Sequence, residues 1–128
     1  MNSETALYEQ LYNCIIFGIA TAQLNPGDRM PTVRQLGVDL GINLHTVNKA
    51  YALLKQNGYL SAHRNKGAVV NDSELYPVDR NFAQDTKDRL LPIVVECYAR
   101  GMKEDEIKNI VSGIIVDIKN ETEGQANG

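Results

Sequence analysis

The chain has 128 residues, of which 43% are hydrophobic and 23% charged, and its net charge is −3. That length holds one ordinary domain, or a small domain with an appendage, and excludes a multidomain enzyme. The composition is that of a globular chain, not a disordered one.

The longest stretch of low polarity, Cys14 to Ala22, is far short of the roughly 20 residues of a membrane span. Ala20-Thr21-Ala22 imitates a leader cleavage site, but the residues before it hold Glu4 and Glu9 and no Lys or Arg. A cytoplasmic protein with no membrane partner is expected. Charge is divided unevenly along the chain. Residues 1–71 carry six basic and four acidic side chains, residues 72–128 seven and twelve. A front part able to approach polyanions is followed by a rear part that repels them, which matters because binding surfaces respond to local charge.

Leu7, Leu11, Cys14, Ile15, Gly18, Ile19 and Ala22 recur at the spacing of one helix face, and Pro26-Gly27 closes the segment, which predicts a helix from about Thr5 to Gln23. Tyr8, Tyr12, Ile16 and Phe17 form a second apolar side. It either widens the buried face or meets the C-terminal part or a second subunit. Cys14 and Cys97 have no metal-ligand spacing and fall inside apolar helical patterns, so both are expected as buried free thiols.

Thr32 is an N-cap residue with Gln35 three positions on, opening a helix from Val33 to Leu40 that buries Val33, Leu36 and Leu40. Gly41 suits the left-handed residue past its end, Ile42 the hydrophobic contact beyond, and Asn43 the N-cap of a third helix, Leu44 to Asn57. This is a helix-turn-helix signature. At about 100° per residue, Leu44, Val47, Ala50, Tyr51 and Leu54 share the buried side of the third helix. His45, Lys49 and Ala52 lie opposite, flanked by Asn48 and Thr46, and Leu53 fits neither side. A narrow, donor-rich face with a small residue at 52 suits the DNA major groove, which offers acceptors to Lys, amide-matching edges to Asn and methyl groups to apolar atoms. Any surface helix turns polar residues outward. The face points to nucleic acid only in combination with Arg34 on the preceding helix and the basic segment that follows. There, Tyr59 to His63 and Gly67 to Asn71 can form two strands around the polar turn Arg64-Asn65-Lys66-Gly67.

From Asp79 the pattern is again helical, with Phe82, Leu90, Leu91, Val94, Val95, Cys97 and Tyr98 apolar, up to Arg100-Gly101. Pro92 should kink this helix or split it. A last helix begins near Lys103, with Glu104, Asp105 and Glu106 placed at the positive end of its dipole. Its stripe of Ile107, Ile110, Val111, Ile114, Ile115 and Ile118 requires a partner, and the polar tail from Asn120 to Gly128 is expected to be disordered.

Met30-Pro31-Thr32-Val33-Arg34-Gln35-Leu36-Gly37, then Gly41 through Tyr51, then Gly58-Tyr59-Leu60 and Gly67-Ala68-Val69-Val70 resemble the N-terminal winged helix of GntR-family bacterial transcription regulators. Leu24-Asn25-Pro26-Gly27-Asp28 leads in, and the match covers about residues 5–71. The family's larger branches append a full effector domain, for which there is no room here. The stretch from Asp79 to Asn120 instead resembles the YtrA branch, whose two C-terminal helices serve mainly for dimerisation. The resemblance implies that Thr32 and Arg34 hold phosphates and the groove edge, and that Asn43, His45, Thr46, Asn48 and Lys49 begin the recognition helix. It also implies that Arg64, Asn65, Lys66 and Gly67 form the wing tip. Two positions depart from the pattern: Gly37 stands where alanine is usual, costing roughly 0.5–1 kcal/mol in a helix interior, and Leu44 where the YtrA branch often has proline.

The expected fold is mainly α with a small β-hairpin. A winged helix-turn-helix DNA-binding domain occupies residues 1–75, a two-helix dimerisation region residues 76–120 and a disordered tail residues 121–128. Leu91, Val94, Val95 and Tyr98 of the fourth helix join the stripe of the fifth in pairing the subunits. The expected function is a homodimeric, sequence-specific transcription regulator, a repressor, bound to a palindromic double-stranded DNA operator. Catalysis is not expected: His45 and His63 are the two histidines, and there is no phosphate loop, no paired metal ligands and no nucleophile with a base. No cofactor or metal is called for. A winged helix serving as a protein-interaction module without specific DNA binding is the rival reading, and salt titration separates the two. A small-molecule effector is compatible with the first, in a pocket between the C-terminal helices and the winged helix, though no residue names it.

Overall fold

The computed structural model describes the backbone of residues 4–127 and the side chains of residues 7–124. Residues 1–3, inside the expected first domain, and Gly128, at the end of the expected tail, lie outside the described residues. The elements run α1 (Glu4–Ala20), α2 (Val33–Leu40), α3 (Leu44–Gln56), β1 (Leu60–His63), β2 (Gly67–Val70), a 3-10 turn (Ser73–Leu75), α4 (Arg80–Ala99) and α5 (Glu104–Asn127). They form two units, one ending at Tyr76 and the other starting at Pro77.

In the first unit α2 starts where Thr32 is extended and its Oγ1 accepts a hydrogen bond from Gln35 N at 3.0 Å, and it stops at Gly41, whose φ is +67°. Asn43 opens α3 in the same way, its Oδ1 accepting from His45 N at 2.7 Å. The predicted caps are therefore the ones formed. α3 is the spine of the core. Its Val47, Ala50, Tyr51 and Leu54 are buried against Leu11 and Ile15 of α1, Met30, Leu60 of β1 and Val70 of β2. Removing such side chains from water contributes roughly 1.5–3 kcal/mol each for the larger ones, which is why the helix-turn-helix packs on α3. The buried Tyr51 hydroxyl donates to the Pro31 carbonyl at 2.7 Å and so ties α3 to the residue just before the α2 cap.

The hairpin pairs β1 with β2 antiparallel, Leu60 opposite Val70 and His63 opposite Gly67. A third piece of chain joins it that the sequence did not announce. Met30 N donates to Ala68 O and Val70 N to Asp28 O, at 2.8 and 2.9 Å, with Arg29 bridged to Val69. Asn71 closes the base of the hairpin. Its Nδ2 donates to Gly58 O and its Oδ1 accepts from Ser61 Oγ, which explains a buried amide at that position.

Several expectations need correction. α1 ends at Ala20, not at Gln23, because Gln23 N and Leu24 N both turn back to Gly18 O while Ala22 takes a left-handed φ of +63°. Tyr8, Tyr12 and Ile16 pack against the core, so the second apolar side of α1 widens its buried face, leaving Phe17 exposed. This rotation toward the tyrosines turns Cys14 into solvent, contrary to the expected buried thiol, while Cys97 is half-buried. Leu40, at the end of an eight-residue helix, and Leu44, at the start of the next, are exposed instead of buried. Thr46, assigned to the outward face, is 1% exposed, because α3 is packed by α1, α2 and β1 and its buried side is wider than the helical spacing implies.

In the second unit Asp79 caps α4 through its Oδ1 and Phe82 N at 2.8 Å. Pro92 neither splits nor ends α4, which runs unbroken from Arg80 to Ala99; proline removes one donor but keeps helical φ. Gly101, at φ +86°, turns the chain, and Glu106 Oε1 accepts from Lys103 N at 3.0 Å before α5. α5 continues to Asn127, past the expected end at Asn120, because Glu121, Thr122 and Glu123 extend it and Thr122 Oγ1 bonds Ile118 O at 2.8 Å. None of this unit's described side chains is buried, and α4 and α5 are not among the element pairs that pack along each other.

Candidate nucleic-acid interface

The interface starts from the two capped turns. Thr32 and Asn43 are exposed, but each spends a side-chain oxygen on a helix N-terminus, so their first role is to place Arg34 and His45. Tyr51 fixes the two helix starts relative to each other through Pro31, and burial pushes the Tyr51 hydroxyl up to about 12, so it remains a donor. Arg34 on α2 and His45 and Asn48 on α3 project into solvent. Ala52, the small residue of that face, is exposed as well.

Lys49 is exposed but not free. Its Nζ lies 4.5 Å from the centroid of the Tyr8 ring on α1, a cation over an aromatic face. That contact draws the charge toward α1, away from a purely outward role. Thr46 is too deeply buried to touch any ligand. Leu44, not among the residues selected from the sequence, is exposed beside His45; its apolar character and helical spacing concealed it.

The hairpin tip holds Arg64, Asn65 and Lys66, all exposed, with Gly67 at φ +70° letting the turn close. Arg29 is exposed on the third strand piece, and only its charge signalled it in the sequence. Among the described residues no carboxylate pairs with Arg29, Arg34, Arg64 or Lys66; the two ion pairs, Glu96–Arg100 and Glu104–Lys108, are in the second unit. Unneutralised cations on two separate elements around an exposed helix face suit phosphates flanking a groove. No group of three metal-ligating side chains occurs among the described residues.

In the second unit Leu91, Val95, Tyr98, Ile110, Val111, Ile114 and Ile115 are exposed, and Val94, Ile107 and Ile118 are half-buried. Val94, Tyr98, Glu104, Ile107 and Lys108 line an open groove of about 300 Å³. Among the described residues no helix is long and apolar enough to cross a membrane.

Comparison with known proteins places this arrangement. The family described as bacterial regulatory proteins, gntR family, matches residues 7–70. The HTH-type transcriptional repressor YtrA of Bacillus subtilis is 24% identical over 117 residues, covering 91% of this chain and 90% of that protein. A structure described as YtrA from Sulfolobus acidocaldarius, a GntR-family transcription factor, is 31% identical with a TM-score of 0.52, over 93% of this chain and 96% of that one. A transcriptional antiterminator from Listeria monocytogenes shares the fold, with a TM-score of 0.81 at 22% identity over 87% and 83% of the two chains. With its winged helix-turn-helix and half its length matched, the chain belongs to the gntR family of bacterial regulatory proteins, which are DNA-binding transcription regulators.

Proposed function

We propose that two copies of this chain bind a palindromic operator in the cytoplasm and repress transcription from it. The bare face of α3 carries the reading. The side chains of His45 and Asn48 are exposed at its start with no hydrogen bond or ion pair among the described residues, and the cations of α2 and the hairpin tip are unneutralised. A helix of this kind lies in the major groove, where His45 and Asn48 meet base edges while Arg34, Arg64 and Lys66 meet phosphate, with Asn65 and Gly67 shaping the wing tip. Thr32 and Asn43 hold the helix starts at the backbone, and Lys49 approaches from beside Tyr8.

The second unit supports pairing. Its apolar residues have no core of their own to enter, and an apolar face of this kind is covered in solution by a second copy. Leu91, Val94, Val95 and Tyr98 of α4 and Ile107, Ile110, Val111, Ile114, Ile115 and Ile118 of α5 form that contact. A two-fold dimer presents two recognition helices, so the operator is a palindrome with half-sites about 10 bp apart, or a multiple of that. Repression follows the activity named for the Bacillus subtilis relative.

Selection of bound fragments from random duplex DNA tests the reading. A palindromic consensus is expected, with dimer mass by light scattering and a log K against log salt slope of about −0.9 per neutralised phosphate. Equal binding to all duplexes, or a flat salt response, would refute it in favour of a protein-interaction module.

A further inference from the structure

Gly37 of α2 and Leu44 at the start of α3 meet in space. A Cβ built on Gly37 would lie 3.3 Å from Leu44 Cδ2 and 3.2 Å from Ile42 O. Gly37 is buried, so the bare Cα of α2 forms a seat against which one branch of Leu44 rests. The rest of the leucine is in solvent: 41% of the residue is exposed at the first position of α3. One turn further along the same face stands the exposed Asn48, and the next residue is the exposed His45. Leu44 is thus the one apolar side chain at the start of α3 that stands beside the exposed hydrogen-bonding groups of His45 and Asn48.

We propose that Leu44 is a specificity-determining residue that reads the 5-methyl group of a thymine, held at the correct height by the missing side chain of Gly37. The proposal rests on the major-groove docking of α3 given above. Every base presents donors or acceptors on the major-groove edge that an isobutyl group cannot satisfy, but thymine alone adds a methyl group there, which is what an apolar side chain can single out. Leu44 supplies apolar surface and no donor, so it favours T over C at one position of each half-site. Asn48 and His45 supply the hydrogen bonds at adjoining positions.

The test uses the full-length chain and the selected operator, with each thymine replaced in turn by deoxyuridine. That change deletes the methyl group and leaves every hydrogen-bonding atom in place. Binding by the unaltered protein is expected to weaken about four-fold at one symmetric thymine pair's half-site, the effect of exposing one methyl-sized group. Leu44→Ala is expected to bind thymine and deoxyuridine duplexes equally. Gly37→Ala, which keeps the leucine but crowds its seat, is expected to shrink the discrimination while the variant still binds the operator. The proposal is overturned if no deoxyuridine duplex differs from its parent, if Leu44→Ala retains the discrimination, or if the operator half-site holds no thymine. His45→Ala and Asn48→Ala separate the two levels. If both lose operator affinity while deoxyuridine has no effect, Leu44 alone is misassigned; if both bind like the unaltered chain, α3 is not in the groove and both readings fall.

Discussion

Gly58 joins α3 to the hairpin, and a side chain there meets two obstacles of different origin. Its φ is +88°, and a Cβ would lie 2.3 Å from the Leu75 carbonyl oxygen. Gly41 meets only the first: its φ is +67° and nothing lies within 4 Å of a Cβ. Comparing Gly41→Ala with Gly58→Ala therefore isolates the contact with Leu75. The left-handed conformation costs a non-glycine residue roughly 1–2 kcal/mol, and Gly41→Ala should lose about that much. Gly58→Ala must in addition push the 3-10 turn away. That motion disrupts the ring contact between Tyr59 and Tyr76, whose centroids are 4.5 Å apart. Such a pair contributes about 0.5–1.5 kcal/mol, so the total is roughly 1.5–3.5 kcal/mol. Urea denaturation followed by circular dichroism, at one protein concentration because dimerisation adds to apparent stability, gives both values. Limited proteolysis near Pro77 should quicken in Gly58→Ala alone. If the two variants lose equal stability and are cleaved alike, the segment from Ser73 to Tyr76 is not held by this contact, and the anchoring of the chain's exit from the winged helix fails with it.

Arg34→Ala should weaken binding to all duplexes alike and lower the salt slope by about 1, the signature of a lost phosphate contact; a loss confined to the operator sequence would contradict that role. Ile114→Asp places an unpaired charge in the proposed subunit contact and should give monomer mass in light scattering; full dimer mass would reject the placement. In the folded chain Tyr51 keeps its proton to about pH 12, whereas an unperturbed tyrosine loses it near 10.0. The folded state thus binds the extra proton between these values, so stability is whole below pH 10 and drains away toward pH 12. Tyr51→Phe should cost about 1 kcal/mol at neutral pH by leaving the Pro31 carbonyl without its donor, and its stability should fall less over that alkaline range; parallel curves would argue against a buried donor. Ala22→Gly, relieving a left-handed alanine, should raise stability by about 0.5–1 kcal/mol, and a loss would show that the Ala22 methyl group contributes packing that outweighs its strain.

The local elements were legible because their causes are local. Thr32 and Asn43 cap whatever helix follows them, Gly41 permits a left-handed turn in any context, and the spacing of Val47, Ala50, Tyr51 and Leu54 fixes which side of α3 is buried. Tertiary packing decided what spacing cannot express. How α1 lies on α3 put Cys14 outside and Lys49 against Tyr8, and the packing around α3 put Thr46 inside. Residues 28–30 became a partner of β2 because an unpaired strand edge was within reach, a long-range event without a periodic signature. The seating of one branch of Leu44 likewise depends on an absent atom at Gly37, a neighbour across the turn. Periodicity assigns residues to sides of an element; which side meets another element, and what is left uncovered there for DNA, depends on shapes that meet only when the chain has folded.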